Sequence, residues 1–363
     1  RNILKILFRT DSSAKIGSGH LIRCLSLALT LKAKGHECIF ICQDLKGNSI
    51  KKIKQNGFVV IILKIKQHKK TSHFRKLPEV NWKIDSDKVV EKLKKYQFDC
   101  VIIDHYSLSY NWEKKIKPFT KKIMVIDDFV NRKHCCDLLL NQSYGVKKQQ
   151  YKNIVPKNCK LLLGSKYALI NQNFLKARLK LKSRHAVVKR ALIYFGSGSY
   201  TAKYIKIILK IFNESFFSKI FLDVVIDKNI KKSNEIIVSL NKRSNCCVHS
   251  DLPDLSYLMS KADISIGTAG STTWERCCLG LPTILINTAL NQKLNSRAMQ
   301  LTNAAIVLKP NKNLENKIRE FSFLLCTNSI IYLKISKKAF SICDGNGIDR
   351  VINFLNYYEQ KLS

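Results

Sequence analysis

Residues 4–35 read LKILFRTDSSAKIGSGHLIRCLSLALTLKAKG, and this stretch decides the fold. A short apolar run, Ile3 to Phe8, has the length of a buried strand. A polar loop from Arg9 to Gly19 follows. Leu21, Cys24, Leu25, Ala28 and Leu31 then repeat at the spacing of one helical face, and Gly35 ends the pattern as a C-terminal cap. A strand, a loop and a helix in this order open an α/β domain. His20 falls at the helix start, where unpaired N–H groups and the positive end of the helix dipole disfavour the imidazolium. A neutral imidazole there is suited to general-base work. The plain alternative is a histidine that only caps or packs. Gly17 and Gly19 lack a third glycine at the dinucleotide offset, because position 22 is Ile22.

The chain has 363 residues, enough for two domains with separate cores, and its 45% hydrophobic content is that of a globular protein. No run has membrane-spanning length and the start lacks a signal peptide's apolar core, so a cytoplasmic protein without membrane insertion is expected. The formal charge of +38 invites a nucleic-acid reading. Its lysines are spread over nearly every segment, however, and no nucleic-acid-binding motif accompanies them. A polynucleotide partner is therefore not expected, whereas attraction of a small anionic substrate is. Thirteen cysteines include the adjacent pairs Cys135-Cys136, Cys246-Cys247 and Cys277-Cys278 but no C-x-x-C, so no structural zinc site is indicated.

Further strands are predicted at Glu37–Cys42, Phe58–Leu63, Cys100–Ile103 and 122–126, with a short helix near Ile50 and a longer one over 88–96. Residues 64–85, which include Pro78, read as a basic surface loop. Asp104-His105-Tyr106 and Asp127-Asp128 end two of these strands, the positions at which open α/β sheets place ligands. A first domain over 1–168 and a connection over 169–189 are expected. A second α/β domain over 190–345 begins with strand Ala191–Phe195, and a final helix in 346–363 is expected to return to the first domain. Later strands are read at 220–226, 247–248, 263–266, 283–286 and 306–308, with a helix opened by Leu252-Pro253-Asp254 and others over 314–326, 328–342 and 347–358.

Two segments of the second domain suit an anion. Small residues from Gly196 to Thr201 let backbone N–H groups approach a phosphate at a helix start. Gly267-Thr268-Ala269-Gly270-Ser271-Thr272-Thr273 leads into a helix bearing Glu275, an acid placed to grip a ribose diol. Together they suit a nucleoside diphosphate, although glycine and serine after a strand are also ordinary turn chemistry.

Several of these segments resemble one family. FRTDSSAKIGSGHLIRCLSLA, VIIDHY, HCCDLLLNQ, LLLGSKYALI, SIGTAGSTTWERCCLGLP and the following ALNQ are similar to those of the UDP-2,4-diacetamido-2,4,6-trideoxy-β-L-altropyranose hydrolases of pseudaminic acid biosynthesis. The order holds through Asp344-Gly345-Asn346-Gly347 and Arg350-Val351. The resemblance implies two Rossmann-like domains in a GT-B-type arrangement with an interdomain cleft, UDP held mainly by the C-terminal domain and the sugar in the cleft. It implies water attack at the anomeric carbon with His20 as general base. Tyr106 and Asn291 would line the sugar and reaction centre. Gly196, Ser197, Ser271, Thr272 and Glu275 fall at diphosphate and ribose positions beside Gly19 of the first loop. Val248, His249 and Ser250 would meet the uracil, largely through backbone. No metal and no cofactor are implied, and a monomer is expected.

Asp11 is our own assignment, either to orient the His20 imidazole or to stabilise positive charge on the sugar; turn formation is the alternative. His105, His134 and His249 are read first as packing and hydrogen-bonding residues. The chain departs from the family at Gly196-Ser197-Gly198-Ser199, where an acidic residue usually closes the turn. It departs again after Tyr167-Ala168-Leu169, where the family typically has an arginine and acidic residues near the cleft and this chain has Ile170 followed by Asn171-Gln172-Asn173. The competing enzyme reading is a GT-B glycosyltransferase using a UDP-sugar donor.

Overall fold

The computed structural model describes residues 3–13, 16–65, 80–196, 200–227, 233–288 and 292–357. Ser197 and Asn291, and most of the 64–85 stretch, lie outside them. The chain forms two compact α/β units, Arg1–Leu169 with Gly347–Ser363, and Ile170–Asn346.

The first unit contains β1 (Lys5–Thr10), α1 (Gly19–Ala33), β2 (Glu37–Gln43), α2 (Ile50–Gln55), β3 (Val59–Leu63), α3 (Trp82–Tyr96), β4 (Phe98–Asp104), α4 (Tyr110–Ile116), β5 (Thr120–Ile126), β6 (Leu138–Asn141) and β7 (Lys160–Leu163). All its strands pair in parallel, in the order β3-β2-β1-β4-β5-β6-β7. Parallel sheets are covered on both faces, which is why Ile6, Leu7 and Phe8 form an unbroken buried run rather than an alternation. The periodic face of α1 is buried as its spacing predicts, through Leu21, Cys24, Leu25, Ala28 and Leu31. Gly35 has the left-handed φ of +90° that a helix exit requires.

Three features differ from the sequence reading. The helix expected over 88–96 starts earlier, at Trp82, because the Asn81 side chain accepts from the N–H groups of Lys83 and Ile84 and caps it. β6, inside HCCDLLLNQ, is a four-residue strand too short for a periodicity signal. The helix assigned to Leu252-Pro253-Asp254 begins later, at Ser256, and Asp254 Oδ1 accepts from the Ser256 N–H.

The second unit contains α5 (Gln172–Lys180), β8 (Arg190–Tyr194), α6 (Thr201–Phe212), β9 (Phe221–Val225), α7 (Ser233–Asn241), β10 (Cys246–His249), α8 (Ser256–Lys261), β11 (Ile264–Thr268), α9 (Thr272–Cys278), β12 (Thr283–Ile286), α10 (Lys293–Leu301), β13 (Ile306–Leu308), α11 (Leu314–Thr327) and α12 (Ser329–Ile342). Its parallel sheet runs β10-β9-β8-β11-β12-β13. The last helix, α13 (Gly347–Tyr357), packs Ile348, Val351, Ile352 and Leu355 into the core of the first unit. A Cβ at position 347 would collide with the backbone of Ala168, so a glycine opens this helix. Among the described residues no helix is long and apolar enough to cross a membrane.

Candidate active site

Each sheet reverses its strand order once, and there its loops diverge to leave a crevice at the carboxyl ends of the strands. In the first unit the reversal lies between β1 and β4, whose following loops carry Asp11 to Gly19 and Asp104 to Ser107. A small pocket opens there, lined by Asp11, Ile16, His20, Asp104, His105, Tyr106 and Ser107.

His20 is the second residue of α1 and is largely buried. Its Nδ1 lies 2.5 Å from Asp104 Oδ1, and the Tyr106 ring stands edge-on to the imidazole at 4.2 Å between centroids. With Asp104 accepting from Nδ1–H, the proton sits on that nitrogen and Nε2 is the ring atom left to accept one. Asp104 is fully enclosed. Burial opposes its ionisation, but Arg23 and then the hydrogen-bonded His20 outweigh burial and hold the carboxyl well below the usual range.

Arg23, one helical turn beyond His20, donates through Nε and NH2 to Asp104 (2.6 and 2.7 Å) and through NH1 to both oxygens of Asp128 (2.9 Å each). The Tyr106 hydroxyl donates to Asp128 Oδ2 at 3.0 Å. Burial, followed by the Asp128 charge, pushes the Tyr106 phenol well up, so it keeps its proton.

The orienting role expected of Asp11 falls instead to Asp104. Asp11 accepts from Arg9 at 2.7 and 2.9 Å, from the Gln43 N–H at 2.7 Å and from His105 Nε2 at 3.1 Å. His105 Nδ1 accepts the Ser107 N–H, which fixes its proton on Nε2. Arg9 also reaches Asp85 at 2.6 Å, and Asp85 accepts from Trp112 Nε1. Asp11 is thus part of the pocket wall, held by a buried network. His134 packs as expected, bridging Glu113 (2.6 Å) and Asp127 (3.0 Å), and Arg132 links Asp127 to the carbonyl of Tyr106.

In the second unit the reversal lies between β8 and β11, and the two glycine-bearing loops predicted for an anion follow these strands. Gly196 has a φ of +73°, which favours glycine, and its carbonyl accepts from Thr201 Oγ1. The buried Arg276 guanidinium ties the strand ends together by donating to the carbonyls of Tyr194 (3.2 Å) and Thr268 (2.9 Å) and to Ser265 Oγ (3.1 Å). A Cβ at Gly267 would overlap both that guanidinium and the Tyr194 carbonyl. Asn295 Nδ2 donates to Ala269 O at 3.2 Å and braces the second loop from α10.

Ser271 precedes α9 without a side-chain cap bond, and Thr272 is the first residue of the helix. Glu275 lies in the first turn of α9. Burial and then the charge of Glu275 push the Tyr194 phenol up to about 12. Val248 and His249 lie on β10, at one edge of the sheet. The His249 side chain is engaged by Asp223, 2.7 Å from Nε2. Asn171 serves as the N-cap of α5, its Oδ1 accepting from Asn173 N–H at 2.9 Å.

Sequence reasoning missed Arg23, Asp104 and Asp128 as members of the His20 cluster. Their signal was present: the strand ends IDHY and IDD, and an arginine three residues after the histidine on the same helix. Among the described residues no cluster of three or more His, Cys, Asp or Glu could hold a metal ion.

Comparison with known proteins bears on this geometry. The chain is 33% identical over 175 residues to the UDP-2,4-diacetamido-2,4,6-trideoxy-β-L-altropyranose hydrolase of Campylobacter jejuni subsp. jejuni, covering 47% of this chain and 53% of that protein. The chain is similar to a nucleotide-sugar hydrolase. The resemblance is thus carried by an alignment over 47% of this chain, which spans about half the length of that relative. The spore coat polysaccharide biosynthesis protein SpsG of Bacillus subtilis is 20% identical over 362 residues, covering 97% of this chain and 98% of its own. No protein-family profile matches the chain.

Among solved structures, MurG of Acinetobacter baumannii superposes with a TM-score of 0.60 at 13% identity, covering 97% of this chain and 99% of its own. The calicheamicin glycosyltransferase CalG4 superposes with a TM-score of 0.66 at 12% identity over the whole of both chains. At such identities the likeness is one of fold. The fold class is two parallel-sheet α/β domains, with GT-B glycosyltransferases as structural neighbours.

Proposed function

We propose that the chain is an enzyme of nucleotide-sugar chemistry that hydrolyses a UDP-linked diacetamido-trideoxy sugar, UDP-2,4-diacetamido-2,4,6-trideoxy-β-L-altropyranose or a close relative, to UDP and the free sugar. The observation that carries this reading is the 2.5 Å pairing of His20 Nδ1 with Asp104 at a pocket, which leaves Nε2 to accept a proton. The similarity to the Campylobacter hydrolase supports the substrate class.

In this reading water attacks the anomeric carbon and passes a proton to His20 Nε2. The bond from that carbon to the diphosphate oxygen breaks, and its electron pair leaves with UDP. The imidazolium then returns its proton to solvent. Tyr106 and Asp11 bound the space for the sugar, and Gly19 and Asn291 are assigned to the substrate by their motifs. The diphosphate is assigned to the loops at Gly196, Ser197, Ser271 and Thr272, whose backbone N–H groups would balance the charge that gathers on the leaving group. Glu275 is assigned to the ribose hydroxyls and the backbone of Val248 and His249 to the uracil. Asn171, occupied as a helix cap, contributes at most its amide N–H₂.

The fold likeness to glycosyltransferases favours a second reading, transfer of the sugar to an acceptor other than water. Purified protein offered a panel of UDP-sugars in water alone, with products identified by NMR, separates the two. Equimolar UDP and reducing sugar without acceptor support hydrolysis. UDP release that waits for an added acceptor supports transfer.

A further inference from the structure

Asp128, just beyond the end of β5, is not one of the residues lining the pocket, yet it shares a cation with the residue that holds His20. Arg23 NH1 donates to both Asp128 oxygens, while Nε and NH2 of the same guanidinium donate to the two oxygens of Asp104. NH2 also lies 3.4 Å from His20 Nδ1. The side chains of Asp104, Arg23 and Asp128 are 0%, 5% and 20% exposed, so their charges act on one another with little screening by water.

Among the described residues, the other titratable groups around the imidazole are Cys24, whose thiol donates to Asp104, Tyr106, and Asp11 with His105 in the pocket wall. Asp11 is already matched by Arg9. Among the described residues, these two carboxylates and one guanidinium leave one net negative charge beside His20, and that charge is cancelled when the ring takes a proton.

We propose that Asp128 is a positioning residue for His20: by drawing part of the Arg23 charge away from Asp104, it sets the pH at which Nε2 accepts a proton. Without Asp128, Arg23 would neutralise Asp104 by itself and the cluster would resist a further positive charge. Tyr106 belongs to the same chain of contacts, since its hydroxyl donates to Asp128 while its ring edge meets the imidazole. The inference rests on the reading of His20 as the base, but its first test needs no substrate.

The full chain, labelled with ¹⁵N, is titrated by NMR as wild type, Asp128→Asn and Arg23→Gln, with the His20 ring signals identified by their loss in His20→Gln. The expected result is a His20 titration midpoint about half a pH unit or more lower in Asp128→Asn and higher in Arg23→Gln. The Asp128→Glu variant should restore most of the wild-type behaviour. Where turnover is measurable, the acid limb of the kcat/KM profile should move in the same directions. An unmoved midpoint in either folded variant, or movement in the opposite direction, overturns the proposal. A midpoint that moves without any UDP release would leave the coupling standing and sink the hydrolase reading; release with an unmoved midpoint would do the reverse.

Discussion

Nδ1 of His20 lies 2.5 Å from Oδ1 of Asp104 although 84 residues separate them in the chain. The parallel pairing of β1 with β4 brings them together, because it sets the loop after one strand against the end of the other at the reversal of the sheet. An imidazole so held has a fixed tautomer, which a base acting on one substrate proton needs.

Replacing Asp104 with asparagine keeps the size of the side chain but lets its amide donate to Nδ1, which puts the ring proton on Nε2. Turnover of a UDP-sugar by Asp104→Asn should fall by about 10²–10⁴. UDP affinity by calorimetry should stay close to wild type, since the nucleotide contacts are assigned to the other unit. A variant that keeps most of its kcat would remove Asp104 from the mechanism.

Glu275 is assigned to the ribose diol, with a half-buried carboxylate in the first turn of α9. Glu275→Ala should weaken UDP binding by roughly tenfold or more, the loss typical of a hydrogen bond to a charged group. Calorimetry with UDP checks this; unchanged affinity would refute the assignment.

Gly267 leaves room for the Arg276 guanidinium against the Tyr194 carbonyl. A methyl group at that position must push one of them aside, so Gly267→Ala should destabilise the second unit by about 1–3 kcal/mol. It should also disturb UDP binding, because Arg276 holds both strand ends whose loops are assigned to the diphosphate. Thermal unfolding with and without UDP measures both effects; a variant as stable as wild type would show that the strand ends tolerate separation.

His134 makes a pH-dependent contribution to stability. Burial lowers its pKa, but hydrogen bonds to Asp127 and Glu113 outweigh burial and raise it to about 9. A raised histidine contributes stability that is fully present below its unfolded pKa of about 6.5 and is lost as pH climbs through the folded value. Between those limits the loss should be on the order of 3 kcal/mol. Denaturant unfolding across this range should slope downward in the wild type and flatten in His134→Gln. Equal slopes would show that the imidazolium is not the linked group.

The parallel strands were legible because burial on both faces makes them unbroken apolar runs, as in Ile6-Leu7-Phe8 and Val101-Ile102-Ile103. The switch-point loops were legible from polar residues and glycines just past those runs. β6 and α4, of four and seven residues, were not, because neither is long enough to show a period. Within the site, His20 was legible from its place at a helix start, but its carboxylate partner was not. Asp11 is nearer in sequence, yet Arg9 two residues earlier claims it, while Asp104 arrives through strand pairing that no local pattern encodes.

The most direct test of the central claim is UDP release in water alone from the UDP-linked diacetamido sugar, measured for the wild type and His20→Ala side by side. The account predicts equal amounts of UDP and free sugar from the wild type, and near-complete loss of release in the variant with UDP affinity retained. Release that requires an added acceptor, or a variant that keeps most of its turnover, would contradict it.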